Sequence, residues 1–389
     1  MEYTKKSLPN SLYKNGALLL GVGVIILILT FALDFRHAMF DYLWIYMFIV
    51  SIAIGSLALT TLEYVVGASW STPFRRVIEI TASLTPFLII LAIPLFFGMK
   101  ELYSWTNSAI VNADHVLKGK EPYLNFQFFT IRTAACLVIW LVFYYFITKN
   151  SEKQDETGDP KLTKRNIRIS VPFMPLFVIT ITVIAIDWMM SLEPHWYSTI
   201  YGLYYFSGTV LAALAVNTFI LIKLKEGDYL IKGISNDSFY SMGTLMFAFI
   251  IFWAYIGFSQ YLLIWYADIP EETYWMLQRW DGTWKYVSIA LIFIHFVIPF
   301  LILVSRGSKT NLSLLKVMSI WMLFAHALNL YWLIMPTFFK GNAGFGWSEL
   351  SFPLIITGLV MIVLKMRADK KNLVAIGDPK LQDGLDFHL

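Results

Sequence analysis

Cysteine is almost missing from this chain: Cys136 is the single thiol in 389 residues. That excludes an internal disulfide, a Cys-ligated iron–sulfur cluster and covalently attached c-type haem. Charge is scarce as well, at 14% of residues, where a soluble domain carries about 25%. So few charges cannot clothe a globular surface, which excludes a soluble enzyme, a disordered protein and a nucleic-acid binder. The sequence has no Walker A loop, no G-x-S-x-G elbow, no metal-spaced His/Cys cluster and no Gly-interrupted half-helices of the sodium-symporter kind. It also has no segment long enough for a separate extramembrane domain. The longest polar stretch, 148–170, reads as a basic loop centred on Asp155, Glu156, Gly158, Asp159 and Pro160.

What the chain has is apolar length. Hydrophobic residues make up 58% and aromatics 17%, and the mean hydropathy is +0.62. Ten runs of about 20 residues each are long enough to cross a bilayer. They fall at 15–33, 39–66, 77–98, 125–147, 171–190, 199–224, 239–266, 285–305, 314–337 and 349–367. The fold class expected is an all-α integral membrane protein with ten transmembrane helices and the lipid bilayer as its surroundings. Lys5, Lys6 and Lys14 precede the first run as in a signal peptide. Its apolar core is too long for an h-region and no cleavage site follows Leu33, so it reads as a retained helix.

The side of the membrane follows from the basic residues. The N-terminal segment, the even-numbered loops and the C-terminal segment hold 22 Lys and Arg, against seven in the odd-numbered loops. This asymmetry predicts both termini in the cytoplasm. Tryptophans show the reverse bias and gather at the outer ends. The outer segment 267–284 joins Trp275, Trp280 and Trp284 to Asp268, Glu271, Glu272 and Asp281. It reads either as an ordinary interfacial loop or as a partner-docking surface, with Trp275, Trp280, Glu271 and Glu272 as the contact residues.

Spans two to five can be laid over spans six to nine. Ala185-Ile186-Asp187 precedes Pro194 as Ala327-Leu328-Asn329 precedes Pro336, at a constant offset of 142. Spans two and six start on the same side, so the repeat would be parallel. The expected organisation is one polytopic domain over 1–389: a flanking helix (15–38), a first four-helix bundle (39–198), a second (199–348), and a last helix with its cytoplasmic tail (349–389).

An ionisable group inside a span costs about 2.5–3.5 kcal/mol on insertion scales, so each requires a reason. Asp41, Arg132 and Asp187 lie towards the outer side, with Glu193 and His195 just beyond. Arg132 and Asp187 agree in depth within about a turn and can pair. They serve either as a structural bridge or as an outward pocket for protons or a quinone head group. Glu63 and Glu79 lie towards the inner side, and Arg75, Arg76 and Glu79 share one helical face. This group reads as a local ion pair or as a proton-entry site, which the hydroxyls of Thr81, Ser83 and Thr85 would extend. His295 and His326 lie near mid-membrane on spans eight and nine. They are polar packing, a proton relay, or the axial ligands of one b-type haem. No residue stands out as catalytic, and none as a metal ligand.

Ten spans with two internal bundles, the turn Thr72-Pro73-Phe74-Arg75-Arg76 and the segment Asp187-Trp188…Glu193-Pro194-His195-Trp196 resemble the NrfD/PsrC-type integral membrane proteins. Within these the chain is most similar to the smaller of the two NrfD-like components of alternative complex III, the bacterial quinol:cytochrome c oxidoreductase. The resemblance extends over essentially the whole chain through topology, length and helix pattern. It implies a bacterial inner-membrane component that binds no cofactor of its own beyond a quinol. It also implies a paralogous NrfD-like partner, multihaem cytochrome c and iron–sulfur subunits, and a terminal oxidase as a further partner. The quinol site of such complexes lies in the first bundle of the larger paralogue, where the matching positions here are Arg132, Asp187 and His195. Acidic residues from both faces would form two proton half-channels, with Glu63 and Glu79 inside and Asp187 outside. A secondary transporter and a b-type cytochrome using His295 and His326 are the competing readings.

Overall fold

With no water in a bilayer to solvate peptide groups, these apolar runs must bond their backbones internally, and helices do so within one segment. The computed structural model describes residues 5–389. Among them, ten helices are long and apolar enough to cross a membrane. They are α1 (Asn10–Leu33), α2 (Phe35–Val66), α3 (Thr72–Phe97), α4 (Phe126–Thr157) and α5 (Pro160–Leu192), followed by α6 (Tyr201–Glu226), α7 (Asn236–Ala267), α8 (Trp284–Leu303), α9 (Leu312–Thr337) and α10 (Ser348–Lys370). The chain is an all-α, multi-pass membrane protein.

The starts and stops follow from local chemistry. Asp34 caps α2 by accepting the His37 N–H, and Gly67 closes it in the left-handed conformation at φ 66°. Asn125, Ser235 and Asn311 likewise accept backbone N–H groups in the first turns of α4, α7 and α9. Proline reshapes two helices. The α3 helix breaks between Ala82 and Phe87, at Pro86. In α8 a π turn at Phe293–Val297 lies just before Pro299, where an extra residue accommodates the missing N–H.

Two helices form the centre. The apolar stretches of α2 and α6 are each 89% buried, whereas those of α4, α7 and α8 are 28% buried. They approach closely at Gly55: a β-carbon there would lie 2.6 Å from the Thr209 carbonyl oxygen and 2.7 Å from the Ala213 β-carbon. Around this seam α2 packs on α3 and α5, while α6 packs on α5, α7 and α9. The α1 and α10 helices form a pair at the side. There Gly358 fits against the Leu20 amide, where a β-carbon would stand 2.5 Å away. Lys5 Nζ donates to the Asp369 carbonyl at 2.7 Å, so the segments flanking α1 and α10 share one face, called here the tail face.

The 148–170 segment is not a loop. The α4 and α5 helices run on past the apolar region and turn at Gly158, at φ 63°. Polar side chains join the two extensions. Asn150 Nδ2 donates to Asn166 Oδ1 at 2.9 Å, and Gln154 Nε2 to Thr163 Oγ1 at 2.6 Å. Pro160 begins α5 with Asp159 as its cap. The polarity that suggests a loop belongs to a helical hairpin beyond the membrane.

The seam generates a prediction. Gly55→Ala must push α2 from α6 and should lower stability by about 2 kcal/mol. Gly21→Ala, where a β-carbon meets nothing within 4 Å, should leave it unchanged. Thermal unfolding of the purified chain in detergent checks both, and equal midpoints would contradict the close approach.

Candidate functional site

Charged residues that cannot reach water must find each other, and they do so most extensively at the tail-face end of α2 and α3. Arg75 Nη1 donates to Glu63 at 3.1 Å, Arg75 Nη2 to Asp378 at 2.5 Å, and Arg75 Nε lies 3.7 Å from Glu79. Arg76 Nη1 donates to Glu79 at 2.6 Å, and Arg76 Nη2 lies 2.7 Å from Asp155 and donates to the Ser151 carbonyl. The Tyr64 ring stands 4.7 Å from the Arg75 guanidinium. No side chain of this cluster is more than 10% exposed. Four carboxylates therefore face two guanidiniums. An unbalanced buried charge is expensive, and the Lys371 ammonium, on which the Glu79 charge acts, offsets part of the excess. Lys371 pairs with Glu152 at the rim, and burial pulls its ammonium below the usual lysine range. The hydroxyls of Thr81, Ser83 and Thr85 do not extend the cluster. Each donates to a carbonyl of its own helix, at Val77, Ile80 and Ala82.

A second polar set lies on the seam itself. His326 Nε2 and Ser51 Oγ are 3.0 Å apart, and Ser51 Oγ is 3.1 Å from the Tyr205 hydroxyl, which donates to the Met47 carbonyl at 2.8 Å. Further along the seam, Asn217 Nδ2 donates to Ser56 Oγ at 2.9 Å. The α2 helix therefore carries Asp41, Ser51, Ser56, Thr60, Thr61 and Glu63, all buried, from one end to the other.

The two histidines, the candidate haem ligands, sit in closely packed surroundings. The His295 ring stacks on Trp253 at 3.6 Å. His326 is bonded to Ser51, and a β-carbon at Gly208 would lie 2.8 Å from its ring. Neither ring nitrogen of His295 makes a hydrogen bond, and neither does Nδ1 of His326.

Towards the opposite face, Arg132 grips Asp187 with two bonds, Nε to Oδ2 at 2.7 Å and Nη2 to Oδ1 at 3.0 Å. The Tyr123 hydroxyl adds a third at 3.1 Å. Burial and the Asp187 charge push that hydroxyl up to about 12, so it stays a donor. The guanidinium lies over Tyr123 at 3.8 Å and Phe128 at 4.4 Å. Both Asp187 oxygens are thus taken. His195 is not part of this group: its Nε2 lies 2.6 Å from Asp114 on a half-exposed surface. That hydrogen bond holds the Asp114 carboxyl below its usual range. The charge of Glu193 acts on Tyr274 and Arg279. Asp41 instead meets His37, 3.7 Å away, and Glu349, which lies 3.1 Å from the same ring nitrogen.

The Trp-rich segment divides. Trp275 is 3% exposed, stacked on Trp196 at 4.3 Å and edge-on to Trp332, so it is a core residue and offers no docking contact. Arg279 lies over it at 3.4 Å and donates to the carbonyls of Trp275, Trp332 and Leu333. Desolvation draws this guanidinium below the ordinary arginine value. The carbonyls at the end of α9 are what compensate it. Trp280 and Glu271 remain exposed, while Glu272 is half-buried and its carbonyl accepts the Trp196 indole N–H.

Spacing along the chain does not reveal Asp155, Asp378, Tyr123 or Glu349. His37 is the nearest to legible, since it stands four residues before Asp41 on one helix face.

Removing one partner of a pair largely shut off from water leaves the other uncompensated. Arg132→Met should therefore destabilise the chain by about 3 kcal/mol, and adding Asp187→Leu should recover most of the loss. Chemical denaturation of the three proteins in mixed micelles checks this, and additive losses would contradict it. No family model matches this chain, and no curated protein matches it significantly.

Proposed function

We propose that this chain is an integral component of a quinol-oxidising respiratory complex of the NrfD/PsrC type, and that its own task is to pass protons. In this reading it lies in the bacterial inner membrane with the tail face in the cytoplasm. It sits beside a paralogous chain, multihaem cytochrome c and iron–sulfur subunits, and it binds no redox group itself.

The observation that carries the reading is the polar series along α2. Glu63 and Asp41 stand 22 residues apart, or about 33 Å along a helix axis, close to the roughly 30 Å of a hydrocarbon core. Between them lie the buried hydroxyls of Ser56 and Ser51, with Asn217, Tyr205 and His326 attached from α6 and α9. The series begins in the cluster of four carboxylates and two guanidiniums. Glu63 Oε2 and Glu79 Oε1 accept no hydrogen bond there, and neither does either oxygen of Asp41 at the far end. Groups of this kind take up and release protons, and chains of several water molecules would have to link them, since the longest step, Asp41 to Ser51, is about 15 Å along the helix. Asp187 differs, because its two oxygens are fully engaged. It serves as a brace for the outer ends of α4 and α5, and quinol is left to the paralogue.

Two measurements test the proposal. Mass spectrometry of everything co-purifying in mild detergent should recover multihaem and iron–sulfur subunits, and a chain that purifies alone would end the complex assignment. In the assembled complex, Glu63→Gln should leave quinol:cytochrome c turnover within a few-fold and lower the number of protons moved per electron. Unchanged coupling would end the proton role.

A further inference from the structure

Where α2 and α10 begin, three metal-ligating side chains meet: His37 and Asp41 from one helical face, and Glu349 from the first turn of α10. One donor atom from each lies within 4.8 Å of the others. His37 Nε2 is 3.1 Å from Glu349 Oε1 and 3.7 Å from Asp41 Oδ2. Donors bound at 2.0–2.2 Å around a tetrahedral ion stand about 3.4 Å apart, and the two distances bracket that value. We propose that His37, Asp41 and Glu349 form a site for one divalent transition-metal cation of the zinc class, with the remaining coordination positions facing the exposed side of His37.

Three observations support this. The first is Asp41, 1% exposed, whose two oxygens accept no hydrogen bond. A buried carboxylate so placed is costly unless a proton or a cation completes it. The second is charge. Asp41 and Glu349 are joined by Asp34, which caps the same helix, and the neighbouring Arg36 lies over the Phe338 ring at 5.9 Å. Two buried acids and a third beside them thus face one imidazole, and a dication restores the balance. The third is the way the ligands are fixed. Glu349 Oε2 accepts the Gly346 N–H at 2.7 Å and the Ser348 hydroxyl at 2.9 Å, leaving Oε1 turned to the histidine. Phe338 stacks on the His37 ring at 4.8 Å, and Phe339 meets its edge at 5.1 Å. Outer contacts that orient first ligands in this way are what metal sites require. One nitrogen with two carboxylate oxygens suits zinc or manganese better than a soft ion. His37, 17% exposed at its side chain, leaves an entry path. The site stands on donors and charge alone and does not depend on the proton path.

The test is a titration of the full chain, purified in detergent, stripped with a chelator and given Zn2+ against a chromophoric competitor. The expected result is one equivalent bound at micromolar affinity or tighter. Asp41→Asn and Glu349→Gln should each weaken binding by at least about tenfold. His37→Gln, at the exposed edge, should do the same and is the variant least exposed to a folding defect. His195→Gln, on the other histidine–carboxylate pair of this face, should bind as the parent does. A parent chain that takes up no zinc overturns the proposal. So does a His37→Gln protein that binds as tightly as the parent, or loss of the zinc in His195→Gln instead. In those cases the three side chains share a proton and nothing more.

Discussion

Much of the polar interior of this protein depends on one contact, the seam between α2 and α6. Where Gly55 brings the backbones together, the hydroxyl, amide and imidazole groups of α2, α6 and α9 are withdrawn from lipid and must satisfy one another. A wider seam would expose Ser51, Asn217 and His326 to hydrocarbon. The two central helices are thus the most buried of the ten, and the remaining helices are arranged to cover them.

The two halves of the chain solve a related problem differently. Each ends its fourth helix, α5 or α9, in a short 3-10 turn, with an arginine packed beside it. In the first half the arginine is answered by a carboxylate, Asp187. In the second half Asn329, 142 residues further on, accepts a hydrogen bond from Tyr204 at 2.6 Å, and Arg279 turns instead to helix-end carbonyls and two indoles. The first arrangement bonds charges of opposite sign directly, whereas the second bonds its cation to carbonyls, with the Glu193 charge acting on it. Ionisable chemistry is thereby concentrated in the first half and at the two ends of α2.

The membrane helices are legible in the sequence because hydropathy acts on each run separately. Local ion pairs are legible for a similar reason: Arg75, Arg76 and Glu79 stand three and four residues apart on one helix. Arg132 and Asp187 can be matched by depth, since two neighbouring antiparallel helices constrain it. What depends on the distant chain stays hidden. Asp378 and Asp155 complete a cluster centred on α3, and Glu349 meets His37 across 312 residues. Tryptophan at a membrane end is equally suited to lipid, a partner or the core, so the burial of Trp275 is decided by Trp196 and Trp332. The 148–170 hairpin escapes a reading of polarity because Asn150, Gln154, Thr163 and Asn166 join two helices to each other, while Lys149, Lys153, Lys164 and Arg165 stay exposed.

The bond from Arg75 to Asp378 also has a meaning in time. Asp378 follows all ten helices in the sequence, while Arg75 and Glu63 belong to the second and third. During synthesis the α2–α3 turn therefore enters the bilayer lacking one of its acidic partners. It acquires that partner only when α10 has been made and the tail folds back, with Lys380 Nζ donating to the Gly67 carbonyl. The tail is then the final closure of the charged end, and the order of translation is written into where the last carboxylate sits.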